Sequence, residues 1–312
     1  MRKKIVFLFL ILAFITACSF GKKNDTDVVD DKYYENFDPY EEKNVYELDD
    51  SIVYKQDDVH YGRIDEDVKY YSKIAGDYKT CNVVLPYGYD ENKEYPVMYF
   101  IHGWGASYKD HFSEESYLHL LHGNMIAKNL AVPMIVVAVD MYTGKQANRD
   151  KVSDEALRFL YDNVVDDIAL DLMPYIEEHY SVKKGRENNA IIGVSQGGAE
   201  SLITGFKYLD KFGYIAGIAP DTGVIPTEWY KGTFWNTPYF EEFPMPTEEN
   251  MPIYLYMAVG SDDPWNVDCT LYYSDVLNKM GVKNQTDLVE GFGHDAGFWR
   301  LGVYNFMHKI FR

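Results

Sequence analysis

Short apolar, β-branched runs alternate with helix-length patterns along most of this 312-residue chain. That alternation predicts an α/β fold class, with a mostly parallel central sheet and helices on both faces. Two further observations support it. The runs are apolar at nearly every position, as strands buried on both faces are. One of them leads directly into a Gly-x-Ser-x-Gly turn that opens a helical stretch.

The strands are expected, in order, at residues 81–85 (CNVVL), 97–101 (VMYFI), 134–139 (MIVVAV), 190–194 (AIIGV), 214–219 and 253–259 (IYLYMAV), with a weaker seventh at 286–290. Pro86 stops the first, because proline cannot donate to a ladder. Helical patterns cover residues 156–179, 198–209, 267–280 and 298–310. One domain over residues 61–312 is the natural packaging for so many elements.

Composition narrows the function classes. Hydrophobic residues make up 46% and charged residues 25%, as in ordinary folded domains. Asp and Glu number 49 against 30 Lys and Arg, a net charge of −19, which argues against nucleic acid as a partner. Aromatics reach 16%, with 28 tyrosines, whose amphipathic rings suit sugars and also simply fill cores. There is no H-E-x-x-H, C-x-x-C or P-loop, and no G-x-G-x-x-G in a strand–helix setting, so no metal and no cofactor is called for.

The N-terminus reads as an address. Arg2, Lys3 and Lys4 precede an apolar run over residues 5–15 and the small-residue end Thr16-Ala17-Cys18, the pattern of a secretory signal over residues 1–17. The run is shorter than the ~20 residues a bilayer span needs. Ile15-Thr16-Ala17-Cys18 resembles a bacterial lipobox. That resemblance implies cleavage before Cys18, lipidation of its thiol and an extracytoplasmic, membrane-anchored protein; the alternative is a plain secreted protein. Residues 18–60, rich in Asp, Glu, Lys and Tyr, read as an acidic tether whose tyrosines can dock on the domain. Cys81 and Cys269 then remain. They either pair, which requires Cα atoms within ~7 Å, or stay as separate buried thiols.

The chemistry centres on Gly193-Val194-Ser195-Gln196-Gly197-Gly198. A serine on a strained strand-to-helix turn, flanked by residues without bulk, is the nucleophile elbow of the α/β-hydrolase fold. Ser195 needs a base to take its proton. In that fold the acid and then the histidine follow the serine. Of the later histidines, His294 lies in a glycine-flanked loop after the last strand, whereas His308 lies in the final helix and reads as structural. The acid is expected in Gly260-Ser261-Asp262-Asp263-Pro264-Trp265, so Asp262 and Asp263 are both candidates, with Asp268 more distant and Asp295 too close to His294. The loop His102-Gly103-Trp104-Gly105 follows the 97–101 strand, which points to the Trp104 and Gln196 backbone N–H groups as an oxyanion hole. His102 reads as a hydrogen-bonder of that loop.

These segments resemble the esterase D-like α/β hydrolases, and among them the family 1 carbohydrate esterases, feruloyl and acetylxylan esterases. The resemblance rests on Val84-Leu85-Pro86-Tyr87-Gly88-Tyr89-Asp90, residues 95–103 (YPVMYFIHG), residues 171–177 (DLMPYIE), the Ser195 elbow, Gly260-Ser261-Asp262-Asp263, and Gly293-His294-Asp295 followed by Phe298-Trp299. It covers roughly residues 61–312. The acid of that group ends a G-T-x-D-like string, which falls on Asp263 here. The usual S-M-G-G elbow has Gln196 in place of Met. The resemblance implies a serine carboxylic-ester hydrolase acting on acylated plant polysaccharide or oligosaccharide. Relatives with siderophore-esterase, peptidase-like or acyltransferase activity keep the acyl group open, and a non-catalytic surface carbohydrate-binding protein is the alternative of another class. Residues 226–246 hold seven aromatics with interleaved Pro and Gly. Trp229 and Trp235 from this stretch, with Trp265, are the candidate substrate-binding aromatics.

Overall fold

The computed structural model describes residues 37–312. Eight strands form one sheet: β1 (Ile64–Ser72), β2 (Asp77–Val84), β3 (Val97–Ile101), β4 (Ile135–Val139), β5 (Asn189–Val194), β6 (Tyr214–Ile218), β7 (Tyr254–Gly260) and β8 (Gln285–Val289). Their spatial order is β1-β2-β4-β3-β5-β6-β7-β8. The β1–β2 and β2–β4 pairs are antiparallel and the rest parallel. This is the α/β-hydrolase fold that the sequence predicts.

The helices are α1 (Asp50–Val53), α2 (Tyr117–Ala127), α3 (Asp154–Asp162), α4 (Val164–Asp167), α5 (Met173–His179), α6 (Gln196–Lys207), α7 (Val267–Lys279) and α8 (Ala296–Met307). Alternate residues of the inner strands feed two cores, one on each face. Ile191, Leu255 and Met257 join one, while Ile192, Val194 and Tyr256 join the other. A strand with a period of two and no polar face requires this.

The structure departs from the sequence reading in four places. The stretch 156–179 is not one helix: α3, α4 and α5 follow one another with a π-type segment, Ile168–Leu172, before α5. Pro174 in the first turn of α5 cannot donate to the preceding turn, so regular bonding lapses there. Strand β1 carries Asp65, Glu66, Asp67 and Lys69, as edge strands do, and therefore lacks an apolar run. Helix α2 is interrupted in pattern by His119, His122 and Gly123, the last because the edge of the Tyr61 ring presses into the place a side-chain carbon would take.

The fourth departure is the domain boundary. The compact unit begins at Phe37, not at residue 61. Tyr40 Oη donates to the Lys283 carbonyl at 2.9 Å and accepts from the Leu255 N–H at 3.0 Å. Asn305 clasps Val45 from both sides, accepting its N–H at 3.0 Å and donating to its carbonyl at 2.9 Å. The expected tether is therefore in part a strap bonded to the domain. Cys81 on β2 and Cys269 on α7 are both buried and free, so no disulfide joins them. The Cys18 lipidation and signal readings fall outside the described residues. Among those residues no helix is long and apolar enough to cross a membrane.

Candidate active site

Ser195 sits between the last residue of β5 and the first of α6 with φ 56° and ψ −126°. A non-glycine residue in that conformation is strained, and the surrounding close packing holds it there. A side-chain carbon on Gly197 would strike the Ile101 and His102 carbonyl groups, lying 2.8 Å from the Ile101 carbonyl carbon. One on Gly193 would press into the Gly197–Gly198 peptide, 2.9 Å from the Gly198 nitrogen. The glycines are thus a condition for bringing α6 down onto β3, and that approach lifts the serine hydroxyl above the sheet.

His294 comes from the loop between β8 and α8. Its Nε2 lies 3.0 Å from Ser195 Oγ and its Nδ1 lies 2.7 Å from Asp263 Oδ2. Asp263 Oδ1 accepts from the backbone N–H groups of Trp265 at 2.9 Å and Asn266 at 3.1 Å. Burial pushes this carboxyl up, but the His294 ring and the two N–H groups outweigh it and hold it below the usual carboxylate range. A carboxylate so held keeps the imidazole's Nδ1 protonated and leaves Nε2 as an acceptor facing the hydroxyl.

The neighbouring candidates do other work. Asp262 accepts from the Ser261 hydroxyl at 3.1 Å. Asp268 lies in the first turn of α7. Asp295 caps α8, accepting from the Gly297 and Phe298 N–H groups at 2.8 and 3.2 Å. His308 bonds the Leu130 carbonyl at 2.7 Å. His102 is buried between its own loop and the next strand's end. It accepts the Met141 N–H at Nε2, 3.1 Å, so the Nδ1 that faces the Gly103 carbonyl at 2.8 Å carries the proton.

Gln196 heads α6, where the first N–H groups lack helical acceptors and the dipole favours negative charge. Its side chain donates to Glu200 at 2.8 Å, behind the elbow and out of the cavity. Glu200 is fully buried, and burial pushes its carboxyl well up despite the Arg158 guanidinium beside it. Trp104 lies in the loop after β3, its ring edge-on to Trp235 with centroids 4.6 Å apart.

Ser195 and His294 open onto a cavity of about 560 Å³ whose walls include Trp104, Tyr230, Trp235, Trp265 and Trp299. Trp265 and Trp299 stand edge-on to the His294 ring, with centroids at 5.2 and 5.5 Å. Trp235 and Trp265, two of the candidate substrate-binding aromatics, thus face the cavity. Trp229 does not: it packs against Tyr272 of α7 at 5.6 Å, and this corrects its assignment as a substrate-binding residue. The stretch 226–246 sends Phe243 into the core, so an aromatic-rich loop here is partly anchor and partly wall. Sequence reasoning missed His111, Asn266 and Asp221, all on the cavity wall. Asp221 had a signal, since it lies three residues past the carboxyl end of β6, on the edge where ligands bind in open α/β sheets.

The sequence profile of the Esterase family matches residues 72–268. This chain belongs to the Esterase family. Its fold is the α/β-hydrolase fold. The CE1 ferulic acid esterase AmCE1/Fae1A of Anaeromyces mucronatus superimposes with a TM-score of 0.77 at 30% identity, covering 86% of this chain and 98% of that one. The same enzyme in complex with ferulic acid superimposes with a TM-score of 0.78. An endo-1,4-beta-xylanase/feruloyl esterase of Xylanibacter ruminicola is 27% identical over 271 residues, covering 84% of this chain. This chain spans 33% of that relative's length, and 14% of the endo-1,4-beta-xylanase Y of Acetivibrio thermocellus, to which it is 27% identical over 170 residues.

Proposed function

We propose that the chain is a serine carboxylic-ester hydrolase acting on feruloyl-type esters of plant polysaccharide or its fragments. The observation that carries this reading is the hydrogen-bonded run Ser195–His294–Asp263 at the mouth of an aromatic-walled cavity. In this reading Ser195 Oγ attacks the ester carbonyl as His294 Nε2 takes its proton. Asp263 stabilises the imidazolium that forms. The Trp104 and Gln196 N–H groups receive the oxyanion; a single side-chain donor in the same role lowers the barrier by roughly 2.7–4 kcal/mol in a subtilisin-type enzyme. His294 then protonates the leaving sugar alcohol, and water releases the acyl group by the same steps.

The cavity supports a bulky acyl group over acetyl, because its about 560 Å³ falls in the range of sites for drug-sized ligands. The likeness to an esterase solved with ferulic acid supports it independently. Comparing methyl ferulate, methyl acetate and a peptide amide tests the reading. The expected order places methyl ferulate at least about tenfold above methyl acetate in kcat/KM, since each apolar group buried in a pocket gives about that factor. A preference for acetyl or amide substrates would contradict it.

The same proposal includes anchoring through a lipid on Cys18, supported by the run Ile15-Thr16-Ala17-Cys18. Two acyl chains are needed for stable anchoring. Palmitate label that persists after Cys18→Ser would remove this part.

A further inference from the structure

Asp221 is held in place by three bonds that leave one carboxylate oxygen over. Its N–H donates to the Ser195 carbonyl at 3.3 Å, its carbonyl accepts from Tyr273 Oη at 3.0 Å, and its Oδ1 accepts from the Thr222 N–H at 2.7 Å. Thr222 Oγ1 in turn donates to the carbonyl of Trp235, tying this corner to the aromatic wall. Among the described residues Oδ2 has no hydrogen-bond partner, and the side chain is partly open to the cavity that holds Ser195 and His294. The rest of that wall is largely aromatic. Asp263 is turned away into its own three hydrogen bonds, so Asp221 is the carboxylate left for a ligand; the unpartnered Asn266 Oδ1 and His111 Nε2 of the same wall are buried and carry no charge to match it.

We propose that Asp221 Oδ2 accepts a hydrogen bond from a hydroxyl group of the substrate, and so selects hydroxyl-bearing esters. A fixed acceptor in an apolar wall works in this way because an analogue without the hydroxyl leaves it unpaired. The Thr222 and Ser195 bonds mean that little ordering remains to be done when the hydroxyl arrives. Two parts of a feruloyl saccharide carry such a group, the phenol of the acyl half and the sugar of the alcohol half. The chemistry recognised is the same, and substrates separate the sources.

The inference rests on the ester-hydrolase reading and is tested by two matched pairs. Methyl ferulate against methyl 3,4-dimethoxycinnamate isolates the phenol, and feruloyl arabinose against methyl ferulate isolates the sugar. The readout is the ratio of kcat/KM within each pair, measured for the wild type and for Asp221→Asn, which keeps the side chain's size and its acceptor for Thr222. The ratio is expected to fall about tenfold or more in one pair, which names the source. Asp221→Ser gives the same ratios if the Asn variant melts early. Both ratios holding within about threefold, whether or not overall turnover drops, would overturn the proposal, because a merely structural residue lowers both members of a pair alike. Turnover of methyl ferulate by Ser195→Ala would instead overturn the underlying hydrolase reading.

Discussion

The two ends of the sheet hold sequence-distant segments together by different means. At the carboxyl end, Ser195, Asp263 and His294 meet because glycines permit backbone to touch backbone and because a strained serine is locked between β5 and α6. At the amino end, the strap from Phe37 onward is bonded by side chains to backbone: Tyr40 to Lys283 and Leu255, Asn305 to Val45, and Lys309 Nζ to the Glu42 carbonyl at 2.6 Å. The first arrangement holds strain where the Ser195 hydroxyl projects. The second satisfies buried polar groups and has no strained backbone to maintain. Damage at the two ends is therefore expected to read out differently, one in turnover and the other in stability.

The largest effect is expected at the carboxyl end. Asp263→Asn lowers kcat by about 10³–10⁴-fold, as loss of the imidazole's orienting carboxylate does elsewhere. Asp262→Asn, whose side chain among the described residues bonds only its neighbour Ser261, changes kcat less than about threefold. Steady-state kinetics on one ester decide between them; the reverse order would place the acid one residue earlier and break the geometry described here.

A smaller effect is expected at the amino end. Asn305→Ala leaves the Val45 N–H and carbonyl without partners and costs about 1–3 kcal/mol of stability, read as a lower urea midpoint. Turnover per folded molecule stays at the wild-type value, since Asn305 lies on α8 away from the cavity wall. Lost turnover without a shifted midpoint would show that the two ends are coupled.

The contrast also explains what could be read from the sequence. The strands buried on both faces announced themselves: residues 97–101 match β3 at both ends, and the expected strands at 190–194 and 253–259 differ from β5 and β7 by one residue. Ser195 was legible because its turn needs glycines at Gly193 and Gly197, a chemical demand visible as letters. His294 was legible by its glycine-flanked place after the last strand. The choice of Asp263 over Asp262 leaned on family resemblance, because adjacent carboxylates differ only in direction, which composition does not record. The strap was hidden for a related reason. Its acidic, tyrosine-rich composition is that of a tether, and what docks it are partners some 215 to 267 residues away. Trp229 and Trp235 are six positions apart in one aromatic stretch, yet one packs on α7 and the other on the cavity, a division set by packing alone.

The most direct test of the central claim is to expose the folded protein to a fluorophosphonate and map the adduct by mass spectrometry. A single stoichiometric adduct is expected on the peptide containing Ser195, slowed by methyl ferulate and absent from both Ser195→Ala and His294→Ala. An adduct on another serine, or equal labelling of the His294→Ala protein, would contradict it.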